Sequence, residues 1–185
     1  MNGWQIILLS VVISIVVLGL LTLMAPRTMI RLPISLLLHA LYRKKLVGLE
    51  NLPKDRGCVV VSNHVSWIDG VILLWMLPRN IRFVVDGGNF SNPIFKFLAG
   101  SFGTIMMTAS PKAIGRALKT GRQGVTAGDL IGIFPEGTLT RTGQLQAFKA
   151  GYQKMLKGTD GCILPMYLDG MWGSIFSHSD GKLFF

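Results

Sequence analysis

Cysteine and acidic residues are both scarce in this chain of 185 residues. The two cysteines, Cys58 and Cys162, lack a CxxC spacing, and each lies in an apolar run. This excludes a cysteine-based zinc site and a disulfide framework, so we predict that both are reduced core residues. Only 9 residues are acidic against 19 Lys and Arg, which gives a net charge of +10.

Charged residues of either sign are also few. They make up 15% of the chain, where a soluble domain carries about 25%, and half of the chain is apolar. This excludes a disordered chain and a coiled coil. A basic protein can bind nucleic acid or an anionic membrane surface. The apolar excess favours the membrane, and since no zinc-finger or RNA-recognition motif is present, we predict no nucleic-acid partner.

The segment Trp4–Ala25 carries no charged residue. At about 1.5 Å per residue, a helix of this length can cross a hydrocarbon core of about 30 Å. The alternatives are a buried helix and a signal peptide, although no basic residue precedes the segment and no cleavage pattern follows it. The basic residues that follow are Arg27, Arg31, Arg43, Lys44 and Lys45. The positive-inside rule therefore predicts a single-pass membrane protein whose C-terminal part faces the cytoplasm.

A second apolar stretch, Leu32–Leu41, is too short to span a membrane and has basic residues on both sides. We interpret it as an interfacial helix. Residues 1–45 then form a membrane anchor, and a polar link near Val47 begins a second domain, residues 46–185.

In the second domain, short apolar runs alternate with helical patterns, which predicts an α/β fold with a mostly parallel sheet flanked by helices. The predicted strands are Cys58–Ser62, Ile81–Val85, Thr104–Thr108, Leu130–Phe134 and Ile163–Leu168. The predicted helices are Trp67–Met76, Pro93–Ala99, Phe148–Leu156 and one from Pro111 to about Thr126 with Ser110 as its N-cap. Parallel sheets place their chemistry at the carboxyl ends of the strands.

A histidine and an aspartate follow the first predicted strand, in the sequence NHVSWID. If His64 precedes the helix and Asp69 lies in its first turns, the carboxylate can reach back to one imidazole nitrogen. The other nitrogen can then accept a proton from a substrate. Ser66 is the predicted N-cap of that helix. A core histidine or a His/Asp metal pair are the alternatives, although no third ligand is evident.

The fourth predicted strand runs into the loop FPEGTLTRTG. Backbone N–H groups and hydroxyls of a Gly/Thr loop can surround phosphate oxygens, and Arg141 and Lys149 add positive charge. An ordinary turn with a solvated arginine is the alternative. Neither a Walker A loop nor GxSxG is present, and neither cysteine neighbours a base, so no covalent nucleophile is evident.

Together, NHVSWID, FPEGT and the later apolar strand with Pro165 resemble the glycerolipid acyltransferase family over roughly residues 46–175. The resemblance implies that His64 is the general base and that Asp69 orients it. It also implies that Asn63 and Ser66 lie at the substrate, that Glu136, Gly137 and Thr138 bind the phosphate region of the acceptor, and that Pro165 lies on the acyl-donor side. No metal or resident cofactor is implied. The co-substrate would be acyl-CoA or acyl carrier protein.

Two departures from the family pattern carry expectations of their own. The family's second block holds an arginine where this chain has Ala109. That resembles the acyltransferase part of 2-acylglycerophosphoethanolamine acyltransferases, so we predict that lysophosphatidate is not the preferred acceptor. Family domains also continue further after Asp169, so we expect that the chain is C-terminally incomplete.

Four basic residues of the predicted helix after Ser110 share one face: Lys112, Arg116, Lys119 and Arg122. They could face anionic lipid or coenzyme A phosphates. From the sequence alone we prefer the simpler interpretation, the solvated side of an amphipathic helix.

The sequence therefore predicts a membrane-anchored enzyme that moves a fatty acyl group to the hydroxyl of a lysophospholipid or acylglycerol phosphate, with no covalent acyl-enzyme. The alternative is a membrane-tethered lipid-binding module or an inactive acyltransferase-like fragment.

Overall fold

The computed structural model describes residues 2–24, 26–89 and 93–179. The chain divides into two compact units, residues 1–42 and 43–185. The first unit contains two helices, α1 (Gly3–Met24) and α2 (Pro26–Leu41). The stretch Gly3–Leu20 of α1 is long and apolar enough to cross a membrane, in agreement with the predicted membrane segment. Ala25, the last residue of that prediction, lies outside the described residues.

The start of the predicted interfacial helix was wrong. The helix α2 begins at Pro26 rather than at Leu32, and it includes Pro33 in its interior. A proline is well tolerated at the first position of a helix, where its missing N–H has no intrahelical partner. The helix therefore also carries Arg27 and Arg31.

The second unit contains a five-stranded sheet whose strand pairs are all parallel, which confirms the predicted fold class. The strand order is β3-β2-β4-β1-β5. The strands are β1 (Cys58–Ser62), β2 (Ile81–Asp86), β3 (Ile105–Met107), β4 (Leu130–Ile133) and β5 (Cys162–Met166). The helices are α3 (Asp69–Met76), α4 (Pro93–Ser101) and α5 (Pro111–Thr126), with short 3₁₀ helices at Leu49–Asn51, Gly87–Asn89 and Ala150–Met155.

The strand order determines which helices cover which face. Right-handed crossovers that move along the sheet in opposite directions place their helices on opposite faces. On that rule α3 and α4 cover one face, while α5 and the 3₁₀ helix Ala150–Met155 cover the other and contact each other. The core beneath α5 contains Val59, Val61, Val84, Ile105, Ala117, Val125, Ile131 and Met155.

The two cysteines lie in register at the start of β1 and β5, with their sulfur atoms 3.3 Å apart. Both are free thiols, Cys58 buried and Cys162 half-buried. Burial, and then the neighbouring Cys162 thiol, raise the pKa of Cys58 from 9.0 to about 12. The Cys58 thiol is therefore protonated at neutral pH and is a poor nucleophile.

Two predicted helices differ from the structure. The helix α3 begins at Asp69, and its N-cap residue is Ile68, so the predicted cap at Ser66 was wrong. The Ser66 hydroxyl instead donates a hydrogen bond to the Asp69 carboxylate, and this bond keeps residues 63–68 in a loop. The predicted helix Phe148–Leu156 is a six-residue 3₁₀ helix, Ala150–Met155. The Lys149 N–H donates to the Pro135 carbonyl, and this bond holds the preceding residues out of a helix.

A close approach at Gly57 allows α5 to pack against the amino ends of the strands. A Cβ atom at Gly57 would lie 1.9 Å from the Val125 carbonyl oxygen.

We expect Gly57→Ala to lower the free energy of unfolding by at least about 1–3 kcal/mol, because the backbone must move to make room for the Cβ atom. Gly115 lies on α5, and a Cβ atom there would meet nothing within 4 Å. Gly115→Ala should therefore raise the free energy of unfolding by about 0.5–1 kcal/mol. Thermal unfolding in detergent measures both, and equal effects would contradict this packing.

Candidate active site

Three loops meet at the carboxyl edge of the sheet. They follow β1, β4 and β5, which are neighbours because β1 lies between the other two. The Thr140 N–H donates to the His64 carbonyl at 3.0 Å, which joins the first loop to the second. The two sequence motifs therefore lie side by side, as expected for a parallel sheet.

Asp69, the first residue of α3, bonds to the first loop at several points and has no exposed surface. Its Oδ2 atom accepts hydrogen bonds from the backbone N–H groups of Val65 (2.6 Å) and Ser66 (2.9 Å). The same oxygen lies 3.0 Å from Nδ1 of His64, and Oδ1 accepts from the Ser66 hydroxyl. A buried carboxylate is expensive unless it is hydrogen-bonded, and these donors satisfy both oxygens.

The imidazole of His64 has a fixed orientation. An ionised carboxylate only accepts hydrogen bonds, so Nδ1 must carry the proton that it shares with Asp69, and in the neutral ring Nε2 is then an acceptor. The ring stacks on Phe134, with centroids 4.0 Å apart and an interplanar angle of 12°. The His64 side chain is 22% exposed, so solvent or a substrate can reach it.

Glu136 is the second buried acid of the site, with 4% of its surface exposed. Its Oε1 atom accepts from the His64 N–H at 2.8 Å, and Oε2 accepts from the Gln146 N–H at 3.1 Å. Both carboxylate oxygens therefore bond to backbone groups of the protein. Glu136 connects the loop that carries His64 to the far end of the Gly/Thr loop.

Gly137, Thr138, Arg141 and Lys149 lie on the surface of the second loop. Gly137 has a positive φ of 77°, and a Cβ atom there would lie 2.6 Å from Nζ of Lys149. The ammonium group of Lys149 therefore lies directly against the turn that follows Glu136. Thr138 bonds through its hydroxyl to the Gln146 side chain.

Asn63 and Ser66, both predicted to contact the substrate, are buried. The Asn63 side chain exchanges two hydrogen bonds with the backbone of Leu168, which fixes the third loop against the first. Asn63 lines the cleft described below, whereas Ser66 does not. Ser66 has no exposed surface, so the structure does not bring it to that cleft.

Pro165 lies within β5, paired with Val61, and is exposed. The N–H of Cys162 donates towards β1, and successive residues of a strand point alternately to its two sides. The position of the missing Pro165 N–H therefore faces away from β1, where the described residues provide no further strand. Proline is tolerated at such an edge, which it protects from pairing.

A small cleft opens where the three loops meet. Besides Asn63, His64 and Val65 of the first loop, it is lined by Glu136, Thr140 and several residues of the later loops: Gly143, Gln144, Leu145, Tyr167, Leu168, Asp169, Gly170, Met171 and Trp172. The predicted strand Ile163–Leu168 ran too far, because β5 ends at Met166. The sequence patterns therefore did not place the loop of residues 167–172 at the cleft. They also missed Phe134 as the support of the imidazole.

Large apolar side chains are exposed around the mouth of this cleft. We call this set the apolar rim; it consists of Leu145, Tyr167 and Trp172, which line the cleft and are exposed. The Trp172 ring lies against Gly143, and the Trp67 N–H donates to the Phe176 carbonyl, so the three loops form one surface. Exposed apolar clusters of this kind mark binding sites for lipid, protein or ligand.

Comparison with known proteins shows that the chain belongs to the acyltransferase family, whose model matches residues 43–169. A chloroplastic 1-acyl-sn-glycerol-3-phosphate acyltransferase of Brassica napus is 30% identical over 151 residues, covering 80% of this chain and 44% of that protein. The 1-acyl-sn-glycerol-3-phosphate acyltransferase of Borreliella burgdorferi is 30% identical over 128 residues, covering 66% and 50%. The chain thus spans about half the length of these relatives or less.

The fold also matches that of a solved structure. The crystal structure of the 1-acyl-sn-glycerophosphate acyltransferase PlsC from Thermotoga maritima superposes with a TM-score of 0.57. The identity is 20%, and the match covers 76% of this chain and 68% of that one. The resemblance to the glycerolipid acyltransferase family is therefore confirmed. The finer likeness to 2-acylglycerophosphoethanolamine acyltransferases stays a prediction.

The bonds to Asp69 predict a measurable loss on substitution. Asp69→Asn replaces an oxygen by an amide that donates, so at least one buried N–H or hydroxyl loses its acceptor. We expect the free energy of unfolding to fall by about 1–3 kcal/mol. Chemical denaturation followed by circular dichroism measures this, with the exposed Asp55→Asn as the control that should change little. A loss no larger than that of the control would contradict the proposed bonding.

Proposed function

We propose that this protein transfers a fatty acyl group from an acyl thioester to the hydroxyl of an acylglycerol phosphate. The observation that carries the proposal is the His64–Asp69 pair at the mouth of the cleft, 3.0 Å between Nδ1 and Oδ2, beside a loop that holds a lysine ammonium at its Gly turn. Relatives at 30% identity that are named 1-acyl-sn-glycerol-3-phosphate acyltransferases support it.

The chemistry follows from the one free nitrogen of His64. Nε2 accepts the proton of the acceptor hydroxyl while that oxygen attacks the thioester carbonyl carbon. Asp69 stabilises the imidazolium that forms. When the tetrahedral intermediate collapses, the carbon–sulfur bond breaks, and the imidazolium returns the proton to the leaving thiolate. The acyl group then moves in one addition–elimination sequence, with no acyl-enzyme.

The second loop supplies the positive charge for the phosphate. Lys149 lies against Gly137, and Arg141 is exposed on the same loop. A charge-assisted hydrogen bond from either one to phosphate is stronger than a neutral one. Each oxygen of Glu136 accepts a backbone N–H from one of the two loops, so we assign it to positioning these loops rather than to contact with the acceptor.

Ala109 favours a second candidate acceptor. It lies just beyond β3, where the family pattern has an arginine, and it offers no charge for a phosphate. A lysophospholipid whose phosphate is a diester has one negative charge fewer than lysophosphatidate near neutral pH and needs fewer cations. Because of this difference in charge, we expect that lysophosphatidate is not the preferred acceptor.

The membrane arrangement is part of the same proposal. With α1 across the bilayer and the basic residues after it on the cytoplasmic side, the second unit works at the cytoplasmic surface. The apolar rim then offers the lipid acceptor an apolar path to His64. The alternative, a lipid-binding module without catalysis, would retain the rim but has no use for a histidine with a fixed acceptor nitrogen.

Removal of the imidazole provides the test. A general base contributes about 10²–10⁴-fold to rate, so His64→Ala should reduce acyl transfer by at least about 100-fold. Purified full-length protein in lipid nanodiscs is supplied with a radiolabelled acyl thioester and an acceptor. His178→Ala, a histidine of the same unit that does not line the cleft, is the control and should retain activity.

The acceptors compared are lysophosphatidate, lysophosphatidylethanolamine and lysophosphatidylcholine. A strong preference for lysophosphatidate would overturn the inference from Ala109 and leave the acyl transfer itself supported. Equal turnover by wild type and His64→Ala would overturn the catalytic assignment. Lipid binding without transfer from any donor would favour the binding module.

A further inference from the structure

One face of the second unit carries six exposed cations, and we call it the basic face. The four basic residues of α5 lie within about 120° of arc around the helix, opposite its buried residues Ala117, Gly121, Gly124 and Val125. The 3₁₀ helix Ala150–Met155 packs against α5 and extends the same surface. The six residues are Lys112, Arg116, Lys119, Arg122, Lys154 and Lys157.

The two helices of the basic face carry no acidic residue. Among the described residues the ion pairs are His64–Asp69 and Arg82–Asp129, so none of the six cations has an acidic partner. A solvated helix face usually mixes both signs, whereas a face of one sign repels itself and attracts an oppositely charged partner. For this reason we now interpret the basic face as a binding surface, and not as the solvated side of an amphipathic helix that we preferred from the sequence alone.

The direction of α5 limits which partner can use the face. The helix starts at Pro111 after β3 and ends where Val125 packs against Gly57 and Gly161, the residues that precede β1 and β5. It therefore runs from the edge that holds His64 to the opposite edge. At 1.5 Å per residue, Lys112 and Arg122 are about 15 Å apart along the axis.

An anionic bilayer does not match this layout. A lipid acceptor reaches His64 from the carboxyl edge of the sheet, so a bilayer at that edge contacts the basic face only near Lys112. Charges further along are screened, because the Debye length is about 8 Å at physiological salt. Coenzyme A carries its phosphates on one nucleotide, so it can cover only part of the basic face. A protein with an acidic surface can contact the whole face.

We propose that the basic face docks an acidic acyl carrier protein, which delivers the acyl thioester to the cleft on its flexible prosthetic arm. The proposal rests on the proposed acyl transfer and names its donor. It explains why the cations extend from the edge with the active site down one side of the sheet, where no substrate of the size of a lipid headgroup would use them.

The test compares two donors with one charge-reversed variant. Arg116→Glu/Lys119→Glu is assayed in nanodiscs with the same acyl chain on acyl carrier protein and on coenzyme A. We expect the KM for the carrier-protein donor to rise at least tenfold, while kcat and the KM for acyl-CoA change less than twofold. Lys54→Glu/Lys96→Glu, with two cations exposed outside the basic face, is the matched control and should leave both KM values unchanged.

An unchanged KM for the carrier-protein donor, or an equal loss with both donors, would overturn the proposal. If the wild-type chain uses neither donor, the acyl transfer fails, and docking is decided separately by calorimetric titration with the carrier protein that lacks an acyl group. Binding that the charge reversal abolishes supports the docking site, and absent or unaffected binding overturns it. A reversal that abolishes only binding to phosphatidylglycerol vesicles assigns the face to the membrane and also overturns it.

Discussion

The carboxylate of Asp69 shapes the loop that carries the candidate base. It has no exposed surface, and it accepts hydrogen bonds from two backbone N–H groups, one hydroxyl and the imidazole. A buried carboxylate without those donors would cost several kcal/mol. The chain from His64 to Ser66 therefore has to fold around it, and the same bonds that satisfy the charge fix the tautomer of the histidine.

Glu136 applies the same principle one loop further on. Its two oxygens join the His64 N–H to the Gln146 N–H, so the loop that carries His64 is tied to the Gly/Thr loop. Of the 9 acidic residues in the chain, two are thus buried to hold backbone in place. Few acids remain on the surface, and the six cations of the basic face have no acidic partner among the described residues.

The regular elements of the sheet were predictable because each strand is a short, largely apolar run, and β1 is buried along its whole length. The strand Cys58–Ser62 was predicted with its observed bounds for this reason. The His64–Asp69 contact was also predictable, since His64 lies in the loop after β1 and Asp69 is the first residue of the helix that follows that loop. Helix starts were less certain: the loop up to Ile68 is held by side-chain bonds that compete with helix, and no propensity reveals them.

Long-range partners were beyond the sequence. Nothing local connects Asn63 with Leu168, which lies 105 residues away, or shows that Phe134 supports the imidazole. Glu136 belongs to a recognisable motif, but its role depends on where the backbone N–H groups of other loops point. The spacing of the basic residues on α5 showed that they share one face. Which residues lie beside that face became known only from the packing of the 3₁₀ helix against α5.

The central claim is that Asp69 holds His64 in one tautomer, with Nε2 free to accept a proton. Nitrogen NMR of protein labelled at the histidine nitrogens measures this directly, with His64 assigned by substitution. For the neutral ring we expect a protonated Nδ1 and an unprotonated Nε2, a preference that Asp69→Asn should weaken or abolish. A neutral ring protonated at Nε2, or an even mixture of tautomers in the wild type, would contradict the account.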